Sequence, residues 1–152
     1  MKFIVDVMLG KLAKWLRILG YDTVYDPHFT DDDLFFRAHQ ERRILLTRDK
    51  QLSQRMNPDY TFFVTELLAP QQVKQVVEHF KLDTTHGIFT RCTLCNSPVT
   101  AIPKQTVQGK VPDYVFRTTD QFYFCPACEK IYWPGSHTKQ VRDALKSLSA
   151  GT

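Results

Sequence analysis

Near its amino terminus the chain runs Phe3-Ile4-Val5-Asp6-Val7-Met8-Leu9-Gly10-Lys11-Leu12-Ala13-Lys14-Trp15-Leu16-Arg17-Ile18-Leu19-Gly20. Phe3, Ile4 and Val5 are a short continuous apolar run of the kind that makes a buried strand, and an acid ends it at Asp6. Leu9, Leu12, Ala13, Leu16 and Leu19 then recur at helical spacing up to Gly20, a natural helix stop. A buried strand feeding an amphipathic helix is the first half of a strand-helix-strand unit.

The same alternation continues outward. Thr23-Val24-Tyr25 reads as a second strand, followed by Pro27. Thr30 can cap a helix that starts at Asp31, Asp32 and Asp33 and buries Leu34, Phe35 and Ala38. Ile44-Leu45-Leu46-Thr47 is a third strand, cut off by Arg48-Asp49, and a short helix around Leu52 leads to a fourth, Thr61-Phe62-Phe63-Val64. Pro70 then opens a helix with Val73, Val76, Val77 and Phe80 on one face. Four strand-helix pairs imply an α/β fold, a parallel sheet flanked by helices.

After Arg91 the pattern changes to Cys92-Thr-Leu-Cys95, an extended segment punctuated by Pro98, Pro103 and Pro112, and Cys125-Pro-Ala-Cys128. Two CxxC turns can aim four thiolates at one zinc ion, and with every position filled by protein sulfur the metal is structural. Two disulfides would need a secreted chain and very short loops, whereas Met-Lys-Phe-Ile-Val-Asp offers no signal-peptide core. A redox CxxC would occur once, opening a helix. Strand-like aromatics at Phe122, Tyr123, Phe124, Tyr132 and Trp133 complete the appearance of a zinc ribbon, and 138–148 reads as a terminal helix with Val141, Ala144, Leu145 and Leu148 inward. The expected division is 1–88 for the α/β domain and 89–152 for ribbon plus helix, with the break near Gly87 to Arg91.

Composition bounds the function. Hydrophobic residues make up 43% and charged residues 24% of the 152, which is ordinary globular usage and excludes a disordered chain. With no apolar run of about 20 residues there is no expected membrane span, and the expected location is cytoplasmic. Residues 1 to 90 carry twelve Lys+Arg against twelve Asp+Glu, and the remainder eight against four, so the net charge of +4 comes from the ribbon part. A phosphate-bearing partner is allowed.

Ligands of such sheets sit at the carboxyl ends of the strands. Asp6 ends the first strand, Asp49 follows the third, and Asp31 to Asp33 open the helix after the second. Hard oxygen ligands without His or Cys suit magnesium or manganese, ions that activate water against a phosphodiester. Each acid also has a plainer reading. The Asp31–Asp33 trio favourably meets a helix dipole, and one of the three can cap. Asp49 can cap the helix through Leu52 or pair with Arg48. Asp6 is costly to bury without a ligand or donor. Lys11, Lys14 and Arg17 stand three apart on the first helix, and Lys14 and Arg17 are candidates for phosphate contact; a solvated face is the ordinary alternative. Arg48 can neutralise a phosphate or orient Asp49. Tyr123, Tyr132 and Trp133 can stack on bases or pack over the knuckles, and His137 reads as mainly structural.

Taken together, Phe3-Ile-Val-Asp6, Leu9-Gly-Lys-Leu-Ala-Lys-Trp-Leu-Arg-Ile-Leu-Gly-Tyr-Asp22, Ile44-Leu-Leu-Thr-Arg-Asp49, Arg91-Cys-Thr-Leu-Cys-Asn96 and Cys125-Pro-Ala-Cys128 with Tyr132-Trp-Pro-Gly-Ser-His137 resemble the Mut-seven C-terminal ribonuclease domain, a branch of the PIN-like nucleases. The resemblance covers nearly the whole chain. It implies a PIN-like sheet with a fused zinc ribbon and metal-dependent cleavage of RNA, endonucleolytic in the form expected here, by Asp6, Asp49 and an acid at the second helix. By that motif Asp31 is the second acid and Asp33 a supporting ligand, although the run of three Asp leaves the register open. His137 is followed by Thr138 where the family commonly has an aromatic. RNA is the implied partner, and a protein inhibitor or ribonucleoprotein partner is compatible. The competing reading keeps fold and zinc but makes the protein a non-catalytic RNA or ribonucleoprotein binding module. A phospho-acceptor receiver fits poorly, since Val64-Thr65-Glu66 puts an acid where such a site wants lysine.

Overall fold

The strand β1 (Lys2–Val5) lies at the centre of a four-stranded sheet in the computed structural model, which describes residues 1–134 and 143–147. It pairs in parallel with β2 (Asp22–Val24) on one side and β3 (Ile44–Thr47) on the other, and β4 (Thr61–Phe63) pairs in parallel beyond β3, giving the order β2-β1-β3-β4. Ile4 stands opposite Val24 and Leu45, and Val5 opposite Leu46. Phe3, Ile4, Val5, Leu45 and Leu46 are all fully buried, as expected for strands covered on both faces.

Four helices follow the four strands: α1 (Gly10–Ile18), α2 (Asp31–Gln40), α3 (Lys50–Arg55) and α4 (Ala69–Phe80). Side-chain alternation sorts them. Ile4 and Leu45 pack with Leu34 and Ala38 of α2 and Leu52 of α3, while Phe3 meets the rings of Tyr21 and Phe80, and Phe80 in turn meets Phe62. Thr30 caps α2 as its sequence position suggests, accepting from the Asp33 N–H, and Pro70 sits in the first turn of α4. Gly20 has φ +96 after α1, and a Cβ there would press into the carbonyl of Gly87, so backbone freedom and close approach both require glycine. No helix among the described residues is long and apolar enough to cross a membrane.

This first compact unit is Met1–Asn96 and the second is Ser97–Thr152. The break therefore falls past the first CxxC turn, not before it as the change of sequence pattern suggests, because that turn is bonded into the α1 and β2 region as described below. The second unit holds a three-stranded antiparallel sheet, order β5-β6-β7, from β5 (Thr100–Ile102), β6 (Phe122–Cys125) and β7 (Lys130–Tyr132). Its core is Val107, Val111, Val115 and Phe122, with Ile102, Phe116, Ile131 and Trp133 packed against them. Trp133, partly buried, thus packs against this core. A short helix, α5 (Asp113–Thr118), occupies part of the segment expected to be extended; Pro112 stands at its N-cap and Val115 faces the core. Residues 143–147 are helical with Leu145 buried. His137 and the rest of the helix expected over 138–148 lie outside the described residues.

At the amino-terminal edge of the parallel sheet, buried Arg43 ties the strands together. It donates to the Phe3 carbonyl at 3.1 Å, to Asp22 Oδ1 at 2.8 Å and to Glu41 Oε2 at 2.7 Å. Burial pushes the Asp22 carboxyl upward, but hydrogen bonds from Arg43 and Asn96 outweigh it and hold its pKa below the usual range. A hydrogen bond from Arg37, reinforced by Arg43, lowers that of Glu41. Carboxylates with depressed folded-state pKa values stabilise the fold fully above their unfolded values, about 4, and that contribution is lost as pH falls through the folded values. Arg43→Met is expected to cost about 2 kcal/mol at pH 7, below the full figure for a buried pair because Asp22 is partly exposed. Urea melts at pH 7 and pH 3 should show a smaller acid-induced loss in the variant; an unchanged loss would contradict the role of this network.

Candidate active site and metal centre

The chain leaves β1 toward β2 on one side and later returns to β3 on the other, so the order reverses at the carboxyl ends of β1 and β3, where open α/β sheets place ligands. Asp6 follows β1 there and is 5% exposed. Its backbone N–H donates to the Leu46 carbonyl at 3.0 Å, extending the pairing of β1 with β3 by one residue. Two donors meet its carboxylate: the Val7 N–H at Oδ1, 2.7 Å, and the Thr47 hydroxyl at Oδ2, 2.7 Å. The second lone pair of each oxygen is left for another partner.

Thr47, fully buried at the end of β3, carries the arrangement across to the next acid. Its hydroxyl oxygen accepts from the Asp49 N–H at 2.9 Å while its proton goes to Asp6. Asp49 then caps α3, its Oδ1 accepting from the Leu52 N–H at 3.1 Å, which is one of the two structural roles its sequence position allowed. No Arg48–Asp49 ion pair occurs among the described residues. Arg48 Nε is instead buried without a hydrogen-bond partner in the protein, as is Thr61 Oγ1.

Asp31 opens α2 on the same carboxyl edge, exposed, with a long 3.8 Å ion pair to Arg55. Asp33 closes a capping box: its Oδ2 accepts from the Thr30 N–H at 2.9 Å. That explains one of the three neighbouring acids structurally and leaves Asp31 and exposed Asp32 without a capping task. The structure joins Asp6 to Asp49 through Thr47. It does not draw Asp6, Asp31 and Asp49 into one close set, for among the described residues the only group of three or more ligand side chains gathered that tightly is the four cysteines.

Sequence reading overlooked Thr47, Tyr25 and Gly10. A hydroxyl at the last position of an otherwise apolar strand, opposite the acid that ends its neighbour, is the signal for Thr47. Tyr25 donates its hydroxyl to the Val7 carbonyl at 2.8 Å, pinning the turn after Asp6, and a Cβ on Gly10 would lie 2.9 Å from that hydroxyl.

The sulfurs of Cys92, Cys95, Cys125 and Cys128 lie within 4.8 Å of one another. A tetrahedral zinc with bonds near 2.3 Å needs sulfurs separated by about 3.8 Å, so the set fits that ion and leaves no position for a substrate. Both turns share one geometry. The residue after the second cysteine is left-handed, Asn96 at φ +70 and Glu129 at φ +57, and its N–H returns to the carbonyl of the first cysteine at 3.0 and 2.8 Å. The Cys128 N–H points at Cys125 Sγ, 3.4 Å away.

Of the cations on α1, Lys11 and Lys14 are exposed and Arg17 is buried. Arg17 Nε donates to the Thr23 carbonyl, and Nη1 to the carbonyls of Thr93 and Leu94. Phosphate contact, a candidate role for Arg17 by its spacing, is corrected here to a structural one: the guanidinium is turned inward onto backbone. Burial pushes its pKa down, opposed by neighbouring Cys95, Cys92 and Asp22.

A parallel sheet flanked by helices, followed by a four-cysteine cluster on knuckle turns that could hold zinc, defines the class: an α/β unit with a four-cysteine ribbon module. Within that class, the family model for the Mut7-C RNAse domain matches residues 1–145, and the chain belongs to that family. It is also similar to the exonuclease mut-7 homolog of Homo sapiens, 36% identical over 101 residues, a match covering 62% of this chain. The chain spans only 12% of that relative's own length.

Thr47→Val is expected to lower stability by about 1–3 kcal/mol in urea melts, since it leaves a buried Asp6 oxygen and the Asp49 N–H without their partner. Thr47→Ser should recover most of it, and a neutral Thr47→Val would contradict the linkage. Metal analysis of the purified protein should return one zinc per chain, and less after Cys125→Ser.

Proposed function

We propose that this protein is a metal-dependent ribonuclease that hydrolyses phosphodiesters of RNA at the carboxyl edge of its parallel sheet. The observation that carries the reading is the Asp6–Thr47–Asp49 linkage at the β1/β3 edge in a chain of the Mut7-C RNAse domain family. Magnesium or manganese held by Asp6 and Asp49, with Asp31 as the third acid, would supply water activation and neutralise charge on the scissile phosphate.

The protein's own groups have separate tasks. Thr47 fixes Asp6 by occupying one lone pair of Oδ2, so the carboxylate keeps one orientation. Arg48, whose Nε has no acceptor in the protein, offers its guanidinium to a phosphate oxygen, a planar group suited to that partner. Lys14, exposed on α1, contacts the RNA backbone. Asp33, with Oδ2 engaged by Thr30, stands behind Asp31 as support. Residues 1–88 form the nuclease domain in this reading. Residues 89–152, which carry the excess of basic over acidic residues, hold RNA through the ribbon.

The finer form of the proposal is endonucleolytic cleavage. The relative named as an exonuclease makes the opposite mode the alternative outcome. The test uses end-labelled linear RNA and circular RNA with magnesium, manganese or EDTA. Wild type should cleave both RNAs in a metal-dependent way, and Asp6→Asn should fall to background while retaining its zinc and staying folded at the assay temperature, with a lowered melting point because an amide cannot accept from both the Val7 N–H and the Thr47 hydroxyl. Cleavage of linear RNA alone would replace the endonucleolytic mode with an exonucleolytic one. Activity surviving in Asp6→Asn would remove this site assignment, and salt-sensitive RNA binding without cleavage would favour a binding module.

A further inference from the structure

Arg17 poses a charge problem that the proposed nuclease site does not solve. It is 7% exposed, and a guanidinium remains protonated wherever it is placed, so its burial needs compensation. Its partners are three carbonyl oxygens: Thr23 at 2.9 Å, Thr93 at 3.0 Å and Leu94 at 3.2 Å. Among the described residues no carboxylate forms an ion pair with it; nearby Asp22 bonds to Arg43 and Asn96 instead. Thr93 and Leu94 are the two residues between Cys92 and Cys95, so the guanidinium grips the inside of a metal-binding turn. Four thiolates around one zinc ion carry two net negative charges beside the guanidinium, adding to the unbonded, more distant offset from Asp22.

The rest of the turn is bonded into the same unit. Asn96 accepts from the Thr23 N–H at 2.9 Å and donates to Asp22 Oδ1 at 2.7 Å, in effect pairing its amide with the edge of β2. Arg91 donates to the Gly20 carbonyl at 3.3 Å and to the Asn96 carbonyl at 2.7 Å. Residues 91–96 are thus held at both ends and at the middle by α1, β2 and the loop joining them.

We propose that Arg17 is the positioning residue of the zinc centre: it holds the Thr93–Leu94 turn so that Cys92 and Cys95 form a ready-made half-site, and it offsets the charge of the zinc-thiolate group. Groups that orient metal ligands from behind typically change metal affinity by about 10–100-fold when removed. Zinc therefore stabilises the first unit through Arg17 as well as closing its own cluster.

The test uses the full chain loaded with zinc, an excess of a colorimetric zinc chelator, and the variants Arg17→Met, Arg17→Lys and Lys11→Met. Arg17→Met should release zinc faster by about tenfold or more, Arg17→Lys by a smaller factor because it keeps charge but loses the fork, and Lys11→Met at the wild-type rate. A rate for Arg17→Met within about threefold of wild type would overturn the proposal. Should Arg17→Met fail to fold, Arg17→Lys decides in the same way, a wild-type release rate overturning it. Thermal melts with and without zinc separate this role from plain packing. The melting-point penalty of the Arg17 variant should shrink when zinc is removed, whereas a packing role predicts the same penalty in both states.

Discussion

A carboxylate buried at the end of a central parallel strand is the constraint around which the first unit is organised. Asp6 is admitted to that position because two donors meet it, the Val7 N–H and the Thr47 hydroxyl. Both depend on chain geometry nearby. Val7 belongs to the short turn that Tyr25 pins, packed closely over Gly10, and Thr47 stands opposite Asp6 only because β1 and β3 pair in register. An isolated buried carboxylate would cost several kcal/mol, so sheet register, turn and strand-end hydroxyl are one structural decision. The same hydroxyl receives the Asp49 N–H, which sets the start of α3.

Helix α1 connects two different kinds of chemistry. Its first turn follows directly from the Asp6 turn, and its last turn carries Arg17 into the Cys92–Cys95 knuckle. Gly20, against Gly87, lets the chain leave α1 tightly enough for Tyr21 to return an N–H to Leu16 and for β2 to begin. One short helix of nine residues thereby holds the acid at one end and a zinc half-site at the other.

Much of this was legible in the residues alone. Apolar runs between helical periodicities located the central strands β1 and β3, which are buried almost throughout, and short β-branched and aromatic stretches located the half-buried edge strands β2 and β4. Cap chemistry was equally readable: Thr30, Asp49 and Pro70 all serve helix starts as their positions suggested. The cysteine spacing pointed to a four-sulfur cluster, and the four sulfurs converge. What the sequence hid were contacts made across the chain. Arg17 looks like the third member of a solvated Lys11-Lys14-Arg17 row, yet it lies four residues after buried Ala13 and so faces inward, where its acceptors come from residues 93 and 94. Thr47 was hidden because its role exists only once β3 lies beside β1. The compact units divide after Asn96, beyond the change of composition, for a related reason: hydrogen bonds keep the first knuckle with α1 and β2. Helix α5, with only Val115 buried among its six residues, has too short an apolar pattern to stand out.

The central claim is that the carboxyl edge of β1 and β3 is a divalent-metal site, and manganese binding followed by electron paramagnetic resonance tests it without relying on a chosen RNA. The account predicts that wild type, with its zinc retained, removes free manganese signal on titration, and that Asp6→Asn at equal zinc content removes much less. Equal manganese binding by the two proteins would contradict it.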